Sequence, residues 1–408
     1  MLLIFTISAL IILSGTFYKK LENHYITDSL IALIFGVVLG PELFNFISLE
    51  TGKSMDILKK ATEFTMAVAL MATALRIPTN YFRKHLKTQS IVIVLGILAM
   101  FLCSSIILFW LLPLSLLESC LIGAIITPTD PVVASTIVSG ENAKKFLPAR
   151  IRNTISLESG VNDGLVYPLI LLLLILITNE QNLQDWFLKD LLFATVLCGF
   201  LAFGSGKLFG KLMHKAHVNG WMTTKAVLPF SLALAFLLLS GFNAIGMNGI
   251  FSVFIGGLAF SSEISENETI QEERIQESMD RIFTMPVFFI FGLLLPWKEW
   301  FDLGIWTSLT LILAIILFRR IPGFLLILKA APQFKSKFKD QLLMGWFGPI
   351  GVAALYYAVL TFEKTKDENA WIITSLVVMA STVIHGLSSL AFSKWYYQLA
   401  NNSDGKQP

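Results

Sequence analysis

The sequence predicts an all-α polytopic membrane protein with about 13 transmembrane helices. Its 408 residues are 55% hydrophobic and only 14% charged, whereas a soluble domain carries about 25% charged residues. The mean hydropathy is +0.70. The apolar residues are grouped into stretches long enough to cross a bilayer, and positive charge alternates between the links. Composition, stretch length and charge alternation therefore all point to one class of protein.

Candidate spans are stretches of about 20 mostly apolar residues. They lie near 2–17, 29–48, 57–77, 88–112, 115–139, 148–178, 186–212, 222–242, 246–261, 276–296, 303–328, 340–361 and 370–396. The eighth and ninth are the least certain, because the link FNAIGMNG between them is short. The first has no basic region before its apolar run, so we interpret it as a span rather than a signal peptide.

Basic residues occur mainly in the odd-numbered links, and by the positive-inside rule those links are cytoplasmic. The basic residues of the odd links are Lys19, Lys20, Arg83, Lys84, Lys87, Lys144, Lys145, Arg150, Lys215, Lys225, Lys335, Lys337 and Lys339; those of the even links are Lys53, Lys298, Lys364 and Lys366. We therefore predict a multi-pass protein of the plasma membrane with its N-terminus outside and its C-terminus in the cytoplasm. The acidic link 261–278 is either a solvated helix extension or a vestibule that concentrates cations.

The domain organisation is predicted to be simple. Residues 1–400 form a single transmembrane domain, and residues 401–408 form a short, polar cytoplasmic tail. The net charge of +3 gives no indication of nucleic-acid binding. The three cysteines lie in apolar stretches without metal-ligand spacing, which favours small buried side chains.

Three carboxylates fall inside predicted spans, where their burial is costly and usually has a function. Asp130 lies in the fifth span, and Glu158 and Asp163 lie in the sixth. On a helix, Ser159 and Asp163 share one face as an i,i+4 pair, and Glu158 and Asn162 share the adjoining face. The sixth span therefore carries a column of oxygen ligands at the depth of the membrane centre.

The fifth span is interrupted where Pro128 and Pro131 bracket Thr129 and Asp130. Each proline lacks a backbone N–H and frees a carbonyl one turn earlier. Free backbone groups at membrane depth are tolerated beside a cavity or another partner. Carbonyl, hydroxyl and carboxylate oxygens would thus be available to a hard cation such as Na⁺.

The twelfth span has a matching interruption, GWFGPIG at 345–351. An offset of seven spans makes the two interrupted segments run in opposite directions, as in transporters built from inverted repeats. Two broken helices placed end to end would bring like helix ends together. Asp130 could then offset the two N-terminal dipoles, and a cation would offset the two C-terminal ends.

The pair of motifs TPTDPVVAS and ESGVNDG resembles the cation:proton antiporter-1 family of electroneutral sodium/proton antiporters and exchangers. FFIFGLLLPW at 288–297 and GWFGPIGVAALYYA at 345–358 also resemble segments of this family. The resemblance implies an inverted-repeat fold with interleaved core and dimerisation subdomains, and a homodimer in the bilayer. It implies exchange of a monovalent cation, Na⁺ or else Li⁺ or K⁺, for protons.

The resemblance also implies roles for individual residues. Asp163 is the carboxylate that binds the cation or the proton, and Ser159 supplies a hydroxyl ligand. Thr129 and Asp130 line the same site from the broken helix, so these four residues form the expected Na⁺ ligand set. Asn162 marks the Asn-Asp form of the motif, which is associated with electroneutral exchange.

Glu158 is expected to support the site while an arginine holds it in place. Many relatives have Gly-Pro-Arg-Gly in the twelfth span, where this chain has Ile350 within Gly-Pro-Ile-Gly at 348–351. Arg319 and Arg320 in the eleventh span are the candidate partners of Glu158, with Arg320 preferred. The alternatives are that they anchor the helix at the membrane interface, or that Ile350 alters ion preference, pH response or activity.

The expected mechanism is competition, in which Asp163 binds either a proton or a cation and alternating access carries the occupied site across the membrane. No cofactor and no enzymatic activity are expected. His214 and His217 beside a cytoplasmic loop, and His385 in the last span, could sense pH, but a solvated and a hydrogen-bonded structural role are preferred.

Two other classes of function are open to test. A channel would need a pore-lining ring or a symmetric filter, whereas the sequence has one asymmetric carboxylate cluster. A membrane-embedded hydrolase would need a nucleophile with a base, and Ser159 has no evident base in the sequence.

Overall fold

A computed structural model describes residues 1–23, 27–47, 51–179, 181–222, 227–264 and 282–403, and all the regular structure in these ranges is helical. The helices are α1 (Leu2–Asn23), α2 (Asp28–Leu39), α3 (Thr51–Arg76), α4 (Tyr81–Lys84), α5 (Leu86–Leu111), α6 (Leu116–Ile125), α7 (Pro131–Val138), α8 (Gly140–Phe146), α9 (Ala149–Leu165), α10 (Tyr167–Thr178), α11 (Leu183–Val218), α12 (Val227–Ala244), α13 (Gly249–Ser261), α14 (Ile282–Leu293), α15 (Trp297–Asp302), α16 (Ile305–Phe318), α17 (Ile321–Ala330), α18 (Phe338–Trp346), α19 (Val352–Thr365) and α20 (Asn369–Ser403).

In the described residues, each predicted span overlaps one helix or two consecutive helices. The fifth, sixth, eleventh and twelfth spans are the ones formed by two helices: α6 with α7, α9 with α10, α16 with α17, and α18 with α19. By length and composition, 5 helical stretches of the described chain could each cross a membrane unaided, and six shorter helices are also apolar. The predicted all-α, multi-span class is confirmed. Most of the acidic link at 261–278, and the tail beyond Ser403, lie outside the described residues.

Two predicted spans differ from the observed helices because of proline. The second span was expected to continue to residue 48, but α2 ends at Leu39, where Gly40 caps it and Pro41 follows. The eleventh span was expected to be continuous, but it is interrupted between α16 and α17, where Pro322 begins the second helix. The sequence analysis did not predict this interruption. It places Arg319 and Arg320, both buried, between α16 and α17.

Helices approach closely where both carry glycine, which is how membrane helices gain packing energy. A Cβ atom added to Gly206 on α11 would lie 2.1 Å from the carbonyl oxygen of Gly256 on α13. A Cβ added to Gly36 on α2 would lie 2.2 Å from the carbonyl oxygen of Phe289 on α14. These backbones are in direct contact, so neither position has room for a side chain.

We expect Gly206→Val to destabilise the protein by about 1–3 kcal/mol, because the new side chain must force α11 away from α13. Thermal unfolding in detergent would measure the effect. Gly204→Val is the matched control, since a Cβ at Gly204 meets no atom within 4 Å. Equal melting temperatures for the two variants would contradict the backbone contact.

Candidate ion-binding site

The two interrupted spans cross at their breaks. Residues 126–130 separate α6 from α7, and residues 347–351 separate α18 from α19. The backbone N–H of Asp130 donates a hydrogen bond to the carbonyl of Pro349 at 2.8 Å, which joins the two non-helical segments directly. The crossing brings together four helix ends, each with unpaired backbone groups.

Asp130 caps both helices that begin at the crossing. Its Oδ1 accepts from the N–H of Val132 at 2.8 Å, and its Oδ2 accepts from the N–H of Val352 at 2.9 Å. Its negative charge therefore faces two positive helix ends, as the sequence predicted. Gly351 makes this possible, because a Cβ there would lie 1.8 Å from Asp130 Oδ2.

Arg319 occupies the other side of the crossing, where two helices end. Its Nη1 donates to the carbonyls of Ile126 at 2.6 Å and Thr127 at 3.0 Å, and its Nη2 donates to the carbonyl of Gly348. The cation expected at the C-terminal ends is thus a guanidinium of the protein itself. Sequence inspection missed this role because the break that turns Arg319 inward, before Pro322, was not recognised.

Glu158 and Arg320 form a buried, bidentate ion pair. Nη1 and Nη2 of Arg320 each donate to one carboxylate oxygen of Glu158 at 2.8 Å. Arg320 also donates to the carbonyl of Met344 at 2.9 Å and lies 3.7 Å from the centre of the Phe324 ring. Arg319 and Arg320 are each only 2% exposed, so the interface-anchor alternative for them is wrong.

Asn162 and Thr129 connect α9 to the broken helix. Nδ2 of Asn162 donates to Thr129 Oγ1 at 2.8 Å and to Glu158 Oε1 at 3.1 Å, while its Oδ1 accepts from the backbone N–H of Thr129 at 3.3 Å. The hydroxyl of Thr129 is also 3.4 Å from Glu158 Oε1. The i,i+4 pairing of Glu158 and Asn162 is present as predicted, and it uses both polar groups of the amide.

Asp163 and Ser159 differ from these neighbours. Both side chains are buried. Among the described residues, the two oxygens of the Asp163 carboxylate have no hydrogen-bond partner, and the Ser159 hydroxyl has none either. Asp163 directly follows Asn162 on α9, and the side chain of Asn162 contacts Thr129 and Glu158. In the described chain, no three His, Cys, Asp or Glu side chains are grouped to hold a metal ion. An unpaired buried carboxylate beside an unpaired hydroxyl is able to accept a proton or a small cation.

Two further contacts at Asp163 were not predicted. The hydroxyl of Tyr357 on α19 donates to the backbone carbonyl of Asp163. On another face of α9, Gly160 and Gly164 lie against Phe254 and Phe251 of α13, and a Cβ at either glycine would approach those rings to within 2.7 Å. The carboxylate is therefore held on a helix that is fixed on two sides. His214 and His217 lie near the C-terminal end of α11.

Comparison with known proteins identifies the class. The family model described as "Sodium/hydrogen exchanger, transmembrane" matches residues 6–395. The chain is 28% identical over 402 residues to a Na⁺/H⁺ antiporter of Saccharomyces cerevisiae, covering 90% of this chain and 40% of the relative. It is 30% identical over 401 residues to Na⁺/H⁺ antiporter 2 of Zygosaccharomyces rouxii, covering 90% of this chain and 49% of the relative. It therefore spans about half the length of these curated relatives.

The fold has a solved counterpart in the sodium/proton antiporter MjNhaP1 from Methanocaldococcus jannaschii, determined at pH 8. The two structures superpose with a TM-score of 0.74 at 21% identity, covering 100% of this chain and 99% of the other. This likeness concerns the fold. Together with the family match across nearly the whole chain, it establishes that the protein belongs to the transmembrane sodium/hydrogen exchanger family, as the sequence motifs predicted.

We expect Arg319→Met to destabilise the protein by about 3 kcal/mol or more, because three buried carbonyls lose their donor and Asp130 loses a balancing charge. Thermal unfolding of the purified protein measures this. Lys329→Met removes a cation of similar length from an exposed position on α17 and serves as the control. Unfolding temperatures that match between the two variants would show that Arg319 does not stabilise the crossing.

Proposed function

We propose that the protein exchanges a monovalent cation for protons across a membrane, with Asp163 as the shared binding group. The proposal is based on the surroundings of the Asp163 carboxylate. It is completely buried, has no hydrogen-bond partner among the described residues, and lies beside the equally unpaired hydroxyl of Ser159. The names of the two yeast relatives and the family match support the same activity.

The buried charges at the crossing add up to one uncompensated negative charge. Three carboxylates are present, those of Asp130, Glu158 and Asp163, against the two guanidiniums of Arg319 and Arg320. Arg320 pairs with Glu158, and Asp130 and Arg319 are both engaged with helix ends. The remaining charge belongs to Asp163, and burying it uncompensated would be very costly. One proton or one monovalent cation makes the cluster neutral, whereas a divalent ion would leave it positive.

Coupling follows from this neutrality requirement. A site that crosses the membrane only when neutral carries either one cation or one proton in each direction, so the exchange is electroneutral. Asn162 cannot titrate and Glu158 is paired, so neither adds a second charge. A channel would leave a continuous pathway open, but Asp163 is 0% exposed. A carrier with alternating access is therefore the function that the geometry supports better.

The ligands that complete the site belong to the proposal. Asp163 and Ser159 supply free oxygens, and Thr129 and Asp130 lie beside them on the broken helix with oxygens that can accept further contacts. We propose Na⁺ as the cation, with Li⁺ and K⁺ as alternatives to be ranked by measurement. Asn162, Glu158 and Arg320 support this site without contacting the cation.

The wider setting is also proposed. Residues 1–400 act as one transmembrane domain of a homodimer, without a cofactor and without enzymatic activity. The N-terminus lies outside the plasma membrane, and the 401–408 tail lies in the cytoplasm. The distribution of basic residues among the links supports this orientation.

Asp163→Asn should abolish exchange, because the amide binds neither a proton nor a cation in place of the carboxylate. The measurement is proton movement in proteoliposomes, preloaded with acid, on addition of Na⁺, Li⁺ or K⁺. We expect loss of at least about 100-fold in rate with normal insertion and folding.

Asp302→Asn makes the same chemical change at an exposed position and should leave the rate unchanged. If Asp163→Asn exchanged ions as fast as Asp302→Asn, the assignment of Asp163 would be wrong. If the unmodified protein moved protons with none of the three cations between pH 6 and 9, cation/proton exchange itself would be refuted.

The apparent KM for the cation should rise as the pH falls, because protons compete for the carboxylate that the cation needs deprotonated. In the acidic limit, one competing proton raises the KM about tenfold for each unit of pH, while the maximal rate at saturating cation is unchanged. Initial rates at several cation concentrations and pH values test this. A KM that is independent of pH would exclude a shared site.

A further inference from the structure

The non-helical segment of the twelfth span depends on contacts from the last helix, α20. Between α18 and α19, residues 347–351 leave the helical conformation, and helical hydrogen bonds hold only the two ends of this segment, at the N–H of Phe347 and the carbonyl of Gly351. Such a segment at membrane depth needs partners for its backbone groups. Two of these groups are the N–H of Ile350, within the break, and the carbonyl of Trp346, the last residue of α18, which also accepts from the N–H of Gly348.

Ser381 and His385 on α20 contact both of these groups. The hydroxyl of Ser381 accepts from the N–H of Ile350 at 2.8 Å. Nδ1 of His385 lies 3.1 Å from that hydroxyl and 3.0 Å from the carbonyl oxygen of Ser381, and Nε2 lies 3.1 Å from the carbonyl of Trp346. His385 is only 4% exposed, and the ring of Trp346 packs against it.

One tautomer of His385 accounts for all the contacts across the break. A proton on Nε2 lets the ring donate to the carbonyl of Trp346, and Nδ1 then accepts from the Ser381 hydroxyl, so the approach of Nδ1 to the Ser381 carbonyl is not a hydrogen bond in this tautomer. The Ser381 hydroxyl uses its oxygen to accept from Ile350 and keeps its proton to donate to Nδ1. The result is a continuous chain of hydrogen bonds from Ile350 through Ser381 and His385 to Trp346, which ties the interior of the break to the end of α18.

We propose that Ser381 and His385 are positioning residues for the ion site, because they brace the break of the twelfth span in the shape that Asp130 and Arg319 require. The braced segment carries the Pro349 carbonyl and Val352 N–H that bond Asp130, and the Gly348 carbonyl that bonds Arg319. Loosening residues 347–351 would displace these groups. The proposal rests on the proposed ion exchange for its functional part only.

The brace is tested first by amide hydrogen exchange of the purified protein, read by mass spectrometry on peptides covering 347–352. We expect Ser381→Ala and His385→Leu to accelerate exchange there about fivefold to tenfold, the change expected from losing one hydrogen bond. His385 contacts no amide in this segment directly, so its effect must pass through the chain of hydrogen bonds. His385→Gln can keep a donor near the position of Nε2 and should restore much of the protection, whereas His385→Asn is too short to reach Trp346.

Ser393→Ala is the matched control, because Ser393 is also buried on α20 but, among the described residues, bonds only the carbonyl of Ser389 within its own helix. In proteoliposomes, Ser381→Ala and His385→Leu should raise the apparent KM for Na⁺ about fivefold or more with a smaller change in maximal rate. His385→Gln should lie close to the unmodified protein.

Hydrogen exchange at 347–352 that matches Ser393→Ala would overturn the brace, and faster hydrogen exchange without a change in KM would overturn its role in positioning the ion site. A general rise of hydrogen exchange over the whole chain would overturn it as well, since the effect would then be loss of overall stability. The hydrogen-exchange result tests whether Ser381 and His385 brace the break even if the unmodified protein transports no cation. Failure of the proposed function would therefore be recognised separately.

Discussion

The structure depends on the antiparallel crossing of two broken helices and on the two side chains that neutralise it. Interrupting a helix inside a membrane exposes backbone groups that cost several kcal/mol each when unpaired. Here Asp130 bonds the N–H groups at both helix starts, and Arg319 bonds carbonyls at both helix ends. Side chains thereby bond backbone groups of both breaks, and the segment at Thr129 contacts Asn162 of α9. Asp163, the next residue, is placed near the crossing by this contact.

The crossing also determines which carboxylate is chemically available. Asp130 is committed to helix ends and Glu158 to Arg320, and Asn162 ties Glu158 to Thr129. Only Asp163 keeps both of its oxygens free among the described residues. The distribution of charges also bears on Ile350, the position where the resemblance to the family implied an arginine. Ile350 is buried and bonded through its backbone to Ser381, while both positive charges of the crossing come from the break between α16 and α17.

The sequence was sufficient to predict most of the helices and the two crossing breaks, because apolar length and prolines within apolar stretches directly reflect the requirements of a bilayer. It also predicted that Asp130 would face two helix N-termini and that Arg320 would be available to Glu158. It also predicted that His385 would be a hydrogen-bonded structural residue, which is confirmed. It did not predict the roles of Arg319 and Tyr357, or which groups His385 would contact. Each of these depends on which face of a distant helix meets the crossing, and that is determined by tertiary packing. The break before Pro322 was the local signal that could have indicated that both arginines turn inward.

The most direct test of the account is the number of protons released when one cation binds. Calorimetric titration of the purified protein with Na⁺, repeated in buffers of different ionisation enthalpy, measures this number without any membrane gradient. Where Asp163 is protonated before binding, about one proton should leave for each cation bound. The number should fall towards zero at higher pH, and the Asp163→Asn variant should neither bind Na⁺ nor release protons. Cation binding without proton release at every pH, or release of two protons per cation, would contradict a site with a single uncompensated carboxylate.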